Sequence, residues 1–164
     1  MVIAPCNIVD HLCQPGKLRQ ALYCVREHLK GSSTFTLDNS VPDIPFMVRA
    51  NRVERVYEFE HPLIGTNITE SYKARYDFAN QLECDEVELE KCDDAGNLLR
   101  SALSRDSLTY FSPRDPRLFL EVSGFEIISE QGSLLEPVSV SAESSDMVFV
   151  CRKDKGITSH LSSR

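Results

Sequence analysis

Over the first 37 residues the hydrophobic pattern changes period twice, and this constrains the fold more than any other feature of the chain. Met1-Val2-Ile3-Ala4 is an unbroken apolar, β-prone run that stops at Pro5-Cys6-Asn7. A run without alternation reads as a strand buried on both faces. After the turn Gln14-Pro15-Gly16, the segment from Lys17 to Leu29 carries Leu18, Ala21, Leu22, Val25 and Leu29 at helical spacing, and Gly31 supplies a stop. Burying those leucines and the valine is worth roughly 6–12 kcal/mol gross, as an upper bound, so the helix must lie on a sheet. Thr34-Phe35-Thr36-Leu37 then reads as a second strand, ending in Asp38-Asn39. Strand, helix and strand in so short a stretch predict a βαβ unit with parallel strands and a right-handed crossover.

From Arg55 to Leu108 the period falls to two. Val56, Glu58 and Glu60 alternate with Tyr57, Phe59 and His61, and Ile68, Glu70, Tyr72, Ala74 and Tyr76 form another such set. Turns at Phe78-Ala79-Asn80 and Asp93-Asp94-Ala95-Gly96-Asn97 separate further strands over Leu82–Leu89 and Leu98–Leu108. The pattern predicts an antiparallel meander of about four strands with one polar face. The second turn lacks the downstream Glu and the spacing of a calcium loop, so it reads as a hairpin turn.

The end of the chain returns to α/β. Asp115 is expected to cap a helix that Pro116 starts, because a helix begun at Pro113 would place Pro116 at the fourth position, where it blocks a backbone bond. Leu118, Phe119, Val122 and Gly124 follow. Phe125–Ser129 and Met147–Cys151 read as strands, and the Ser- and charge-rich tail from Asp154 is expected to be disordered.

The net charge of -7 argues against nucleic acid as a partner, since phosphate binding needs clustered Lys and Arg. The apolar runs are too short to span a bilayer and no signal peptide is visible, so no membrane partner and a cytoplasmic location are expected. Six cysteines, Cys6, Cys13, Cys24, Cys84, Cys92 and Cys151, form no CxxC pair. They read as reduced thiols, with Cys24 on the apolar helix face, and no metal site is expected.

The run Phe111-Ser112-Pro113, then Leu118-Phe119-Leu120-Glu121-Val122-Ser123-Gly124-Phe125-Glu126-Ile127-Ile128, resembles the helix–(A/S)GF–strand signature that closes many class I S-adenosylmethionine-dependent methyltransferases. Val148-Phe149-Val150-Cys151-Arg152-Lys153 is similar to their last strand. His28-Leu29-Lys30-Gly31-Ser32-Ser33-Thr34-Phe35 resembles the stretch between the fourth crossover helix and the fifth strand, although Gly31-Ser32-Ser33 departs from the family's proline and glycine pair. Val2-Ile3-Ala4-Pro5-Cys6-Asn7 with His11-Leu12 is similar to the fourth strand and its loop.

The resemblance covers nearly the whole chain. It implies an α/β fold: the 4-5-7-6 side of the family's 3-2-1-4-5-7-6 sheet, mixed parallel and antiparallel, with the meander inserted on the substrate side. Residues 1–50 would form the βαβ unit, 51–110 the insertion, 111–153 the closing helix and strands, and 154–164 the tail. The match begins at the fourth strand, so the chain reads as a C-terminal half, truncated where the first strand should lie.

The resemblance also implies the site. The loop holding Ala4, Cys6 and Asn7 would line the cofactor pocket where the methyl group moves, and Asp38, Asn39, Tyr57 and Tyr76 would lie on the substrate side, with Tyr72 in the same aromatic stripe. Asn7 also reads as a turn residue and the tyrosines as cross-strand packing. His11 is a candidate base. The glycine-rich turn that cradles the cofactor in this family has no counterpart, because the seven glycines, at 16, 31, 65, 96, 124, 132 and 156, stand too far apart. S-adenosylmethionine is therefore expected in the complete family member and not in this chain alone. The partners implied are a small-molecule methyl acceptor and a complementing chain or second copy. An alternative is a non-catalytic remnant or interaction module that self-associates through an exposed strand edge. A third reading, a small β-rich ligand-binding domain, requires that the first two strands not pair in parallel.

Overall fold

The computed structural model describes residues 1–154 except 64, 94, 136, 137 and 142. The expected tail therefore lies outside the described residues beyond Asp154. The chain forms two compact units, one from Met1–Pro42 together with the segment from Thr109 onward, the other from Asp43–Leu108. The expected insertion of residues 51–110 thus begins earlier, because the short helix that precedes it belongs with the second unit.

The first unit holds β1 (Val2–Ala4), a 3-10 turn (Ile8–His11), α1 (Pro15–His28) and β2 (Phe35–Ser40). α1 starts two residues before the expected Lys17. Pro15 occupies its first turn, where a missing N–H costs nothing. β1 and β2 pair in parallel, Val2 opposite Phe35, Ile3 opposite Thr36 and Ala4 opposite Leu37. This removes the reading as a small β-rich domain.

The second unit holds α2 (Ile44–Ala50), β3 (Glu54–Glu60), β4 (Asn67–Asp77), β5 (Leu82–Cys92) and β6 (Leu98–Thr109), the last running to the unit boundary. The chain then returns to the first unit through α3 (Arg114–Val122), β7 (Phe125–Gln131) and β8 (Asp146–Lys153).

The first sheet has the order β1-β2-β8-β7, with β8 antiparallel to both β2 and β7. This is the 4-5-7-6 order expected from the sequence. Phe35 and Leu37 of β2 face Cys151 and Phe149 of β8 across the ladder, and Leu18, Leu22 and Leu29 from the α1 segment complete the core with Leu120 of α3 and Phe125 of β7. The Phe35 and Phe125 rings lie 5.4 Å apart. Cys151 is fully buried within this core, and burial pushes its thiol pKa up to about 12. Cys24, expected on the apolar face of α1, is exposed. One face of the helix holds Leu18, Leu22 and Val25 inward, and position 24 falls outside that arc. None of the six cysteines is in a disulfide.

α3 starts differently from the expectation. Pro113 is its N-cap and Arg114 its first residue, so Pro116 falls at the third position, where no intrahelical acceptor is lost. Asp115 is not the cap. Its carboxylate reaches back to accept from the Ser112 backbone N–H at 2.8 Å and from Ser112 Oγ at 2.9 Å. The helix stops at Gly124, with φ of 81°, a conformation that favours glycine.

The second sheet is an antiparallel meander of order β3-β4-β5-β6. Two of its turns are held by aspartates. Asp77 Oδ1 accepts from the N–H groups of Ala79 and Asn80, and Asp93 Oδ1 from those of Ala95 and Asn97. Asp93 thus closes a hairpin, as expected, and its carboxylate is spent on that turn. α2 was not expected; Asp43 caps it by accepting from Phe46 N at 2.8 Å, with Pro45 in its first turn. Among the described residues no helix is long and apolar enough to cross a membrane.

Candidate functional site

In open α/β sheets ligands bind at the carboxyl ends of the parallel strands. Here those ends belong to β1 and β2. Ala4 is the last residue of β1, and the chain then turns through Cys6 and Asn7, at φ of 55° and 57°. A left-handed backbone costs an L-residue about 1–2 kcal/mol, less for Asn. Three consecutive residues of β2 hold the loop there. Asp38 Oδ2 accepts from Cys6 N at 3.1 Å. Asn39 Nδ2 donates to Asp10 Oδ1 at 2.8 Å. Ser40 N donates to Asn7 Oδ1 at 2.7 Å, and Asn7 Nδ2 donates to Ser40 Oγ at 3.1 Å.

The sequence placed Asp38 and Asn39 beyond the second strand. They lie inside β2, which runs on to Ser40 because β8 pairs with it as far as Asp146. Asp38 and Asn39 therefore point to opposite faces of the sheet. Asn39 is 1% exposed, beside the core, and its Oδ1 is the one buried side-chain acceptor without a donor among the described residues. His11 ends the 3-10 turn and is exposed. The structure thus brings Cys6, Asn7, Asp38 and Asn39 together, and adds Asp10 and Ser40, which the sequence reading missed. A polar strand end, Asp-Asn-Ser, just past an apolar run was the available signal.

Tyr57 and Tyr76 belong to the second unit. Tyr57 is opposite Glu70, Tyr72 opposite Arg55, and Tyr72 and Tyr76 are cross-strand from Val87 and Glu83. Period two therefore places all three tyrosines on one face. Tyr57 is half exposed and Tyr76 is buried. The Tyr76 hydroxyl donates to Glu83 Oε1 at 2.8 Å and the Tyr72 hydroxyl to Asp85 Oδ1 at 2.8 Å. Burial, then the bonds to these carboxylates, raise both phenol pKa values above their ordinary range. Burial, with Asp85 beside it, likewise holds the Glu83 carboxyl above the usual glutamate range, against the opposite pull of the Tyr76 hydroxyl. The Arg55 guanidinium lies between two rings, 5.3 Å from the Phe46 centroid and 4.8 Å from that of Tyr72. Arg55, Phe46, Glu83 and Asp85 were not singled out from the sequence, although the parity of the strands carried three of them. Among the described residues no group of His, Cys, Asp and Glu could hold a metal ion.

The sequence matches no protein-family model and no curated protein. Its fold matches solved structures. An S-adenosylmethionine-dependent methyltransferase from Clostridium acetobutylicum ATCC 824 superposes with a TM-score of 0.72 at 10% identity, over 93% of this chain and 57% of that one. The CcbJ methyltransferase from Streptomyces caelestis gives 0.68 at 20% identity, over 93% and 56%. The sugar N-methyltransferase KedS8 from Streptoalloteichus sp ATCC 53650 gives 0.64 at 16% identity, over 93% and 56%. The chain shares the fold of a part of these methyltransferases. It spans a little over half the length of the proteins that share that fold.

Proposed function

We propose that this chain forms the acceptor side of an S-adenosylmethionine-dependent methyltransferase and depends on a further segment for the glycine turn that cradles the donor. The observation that carries the reading is the first sheet. Its order and strand directions are those of the methyltransferase half-sheet, and β1 stands at its end with Ile3 53% exposed. Among the described residues no strand pairs with the outer edge of β1.

The residues fit the cofactor in part. The loop from Ala4 to Asn7 is fixed at the strand ends by Asp38 and Ser40, and Asn39 Oδ1 is a buried polar atom left without a donor. No glycine pair in the sequence can supply a donor-binding turn, the nearest two being Gly124 and Gly132. When bound, S-adenosylmethionine supplies an already activated methyl group. The chain's own residues then have two tasks. The Ala4–Asn7 loop, held from β2 by Asp38, orients the acceptor atom, and His11 takes the proton that atom releases.

Calorimetric titration with S-adenosylmethionine tests this, on the chain alone and on the chain mixed with, or joined to, the polypeptide encoded immediately upstream. The expected result is binding weaker than about 100 μM, or about -5.5 kcal/mol, for the chain alone, and tighter binding for the combination. Tight binding by the chain alone overturns the division of labour. An upstream segment with no strand and glycine turn, and no binding in any combination, overturns the methyltransferase reading.

A further inference from the structure

β6 is the end strand of the second sheet and is 12 residues long, about twice the ordinary length. Its first ten residues, Leu98–Ser107, are all exposed, and Leu98, Leu99 and Leu103 are among them. No strand pairs with its outer edge among the described residues. An end strand offers its outer edge to a further strand, and proteins normally shorten, bulge or cover such an edge; along β6 the Ser107 N–H already donates to Asp106 Oδ1 at 2.7 Å, and a carboxylate accepts more than one donor.

The charges on the strand say what covers this one. A second copy adding to the edge with two-fold symmetry must run antiparallel, about an axis perpendicular to the sheet. That axis leaves each side chain on its own face, so only residues of equal parity can stand opposite one another. Under this rule Arg105 and Asp106 never meet. Arg105 is in any case engaged within its own sheet, 2.7 Å from Glu86. Arg100 and Asp106 do meet, in the one symmetric register that places Leu103 opposite Leu103 of the second copy. The same register sets Leu98 against Leu108. Registers centred on Arg100, Arg105 or Asp106 set like charges face to face. Those centred on Ala102 or Ser104 set Asp106 or Arg105 against an apolar residue.

We propose that β6 is the interface between two copies of this chain, joined about Leu103 into one continuous eight-stranded sheet with two Arg100–Asp106 ion pairs. The outward leucines and the unusual length of the strand follow from that use. The inference is independent of the donor-binding reading above, since it concerns the other unit and a different edge.

Sedimentation equilibrium of the 164-residue chain tests it. The wild type is expected to be a dimer at micromolar concentration. Arg100→Asp and Asp106→Arg, each of which sets like charges opposite twice over, should weaken the dimer at least about tenfold. The double variant should restore it. Circular dichroism checks that each variant folds. Leu103→Cys gives a second readout that needs no charge change. Residues opposite each other in an antiparallel pair have Cα atoms about 4.5–5.5 Å apart, within disulfide reach, so oxidation should join two copies at position 103, as peptide mapping would show. A monomeric wild type, a dimer indifferent to the single reversals, a double variant that stays apart, or no cross-link at position 103 each overturns the proposal.

Discussion

Replacing Asn7 by alanine removes two hydrogen bonds to Ser40, at 2.7 and 3.1 Å, and leaves a Cβ residue without a polar side chain at φ of 57°. Each bond is worth about 0.5–1.5 kcal/mol, and both are solvent-exposed, so the lower end applies. The left-handed backbone adds about 1 kcal/mol for Ala over Asn. The sum is about 2 kcal/mol. Glycine at the same position loses the same bonds but not the backbone preference, so its cost should be about 1 kcal/mol, net of its extra unfolded-state entropy. Urea unfolding followed by circular dichroism reads the difference. With a slope of about 2 kcal/mol/M, the alanine variant should shift the midpoint down by about 1 M and the glycine variant by about half that. If Asn7→Gly is as destabilising as Asn7→Ala, the left-handed turn is not what Asn7 is there to hold. If neither variant moves the midpoint, the grip of β2 on the loop carries no weight.

The raised carboxyl of Glu83 means that the folded chain holds that proton more tightly than the unfolded chain does. Stability should therefore fall as pH rises from the ordinary glutamate range through the raised folded value. Glu83→Gln should flatten that slope, as melting temperatures at pH about 4.5, 6 and 7.5 would reveal, because a neutral amide has no proton to lose. Gly124→Ala should destabilise by about 1 kcal/mol or more, since φ is 81° and the new Cβ would approach Arg26 Nε to 2.8 Å; thermal melting measures it. Alkylation of the native chain at mildly alkaline pH, followed by peptide mass spectrometry, should label the exposed Cys6 and Cys24 early and Cys151 only after unfolding.

The sheet was legible because its signals are local in sequence and strong in period. Leu18, Leu22 and Val25 place α1, and the alternation around Tyr72 and Tyr76 places β4. The short α2 escaped because seven residues cannot show a helical period, although Asp43 followed by Pro45 is a start signal. The α3 start was misplaced by two residues, Pro116 for Arg114, since a proline at the third helical position loses no intrahelical bond and so need not begin the helix. The site was half legible. Asn7, Asp38 and Asn39 stand out as polar residues at the ends of apolar runs. That Asp38, Asn39 and Ser40 each take a different residue of one loop depends on the parallel register of β1 on β2, which no spacing in the sequence encodes. Arg55 lacked any signal of its own, because a lone arginine in an alternating strand ordinarily faces solvent.

The clasp that β2 puts on the loop has a consequence for β1 itself. β1 contributes only three residue pairs to its ladder, Val2 to Ala4, too few to align a strand firmly. The side-chain bonds beyond its end fix the direction in which it leaves the sheet, and the alternation of β2 delivers them from both faces at once. A ribbon arriving at the outer side of β1 would therefore meet a template already aligned, and little ordering entropy would remain to be lost on docking.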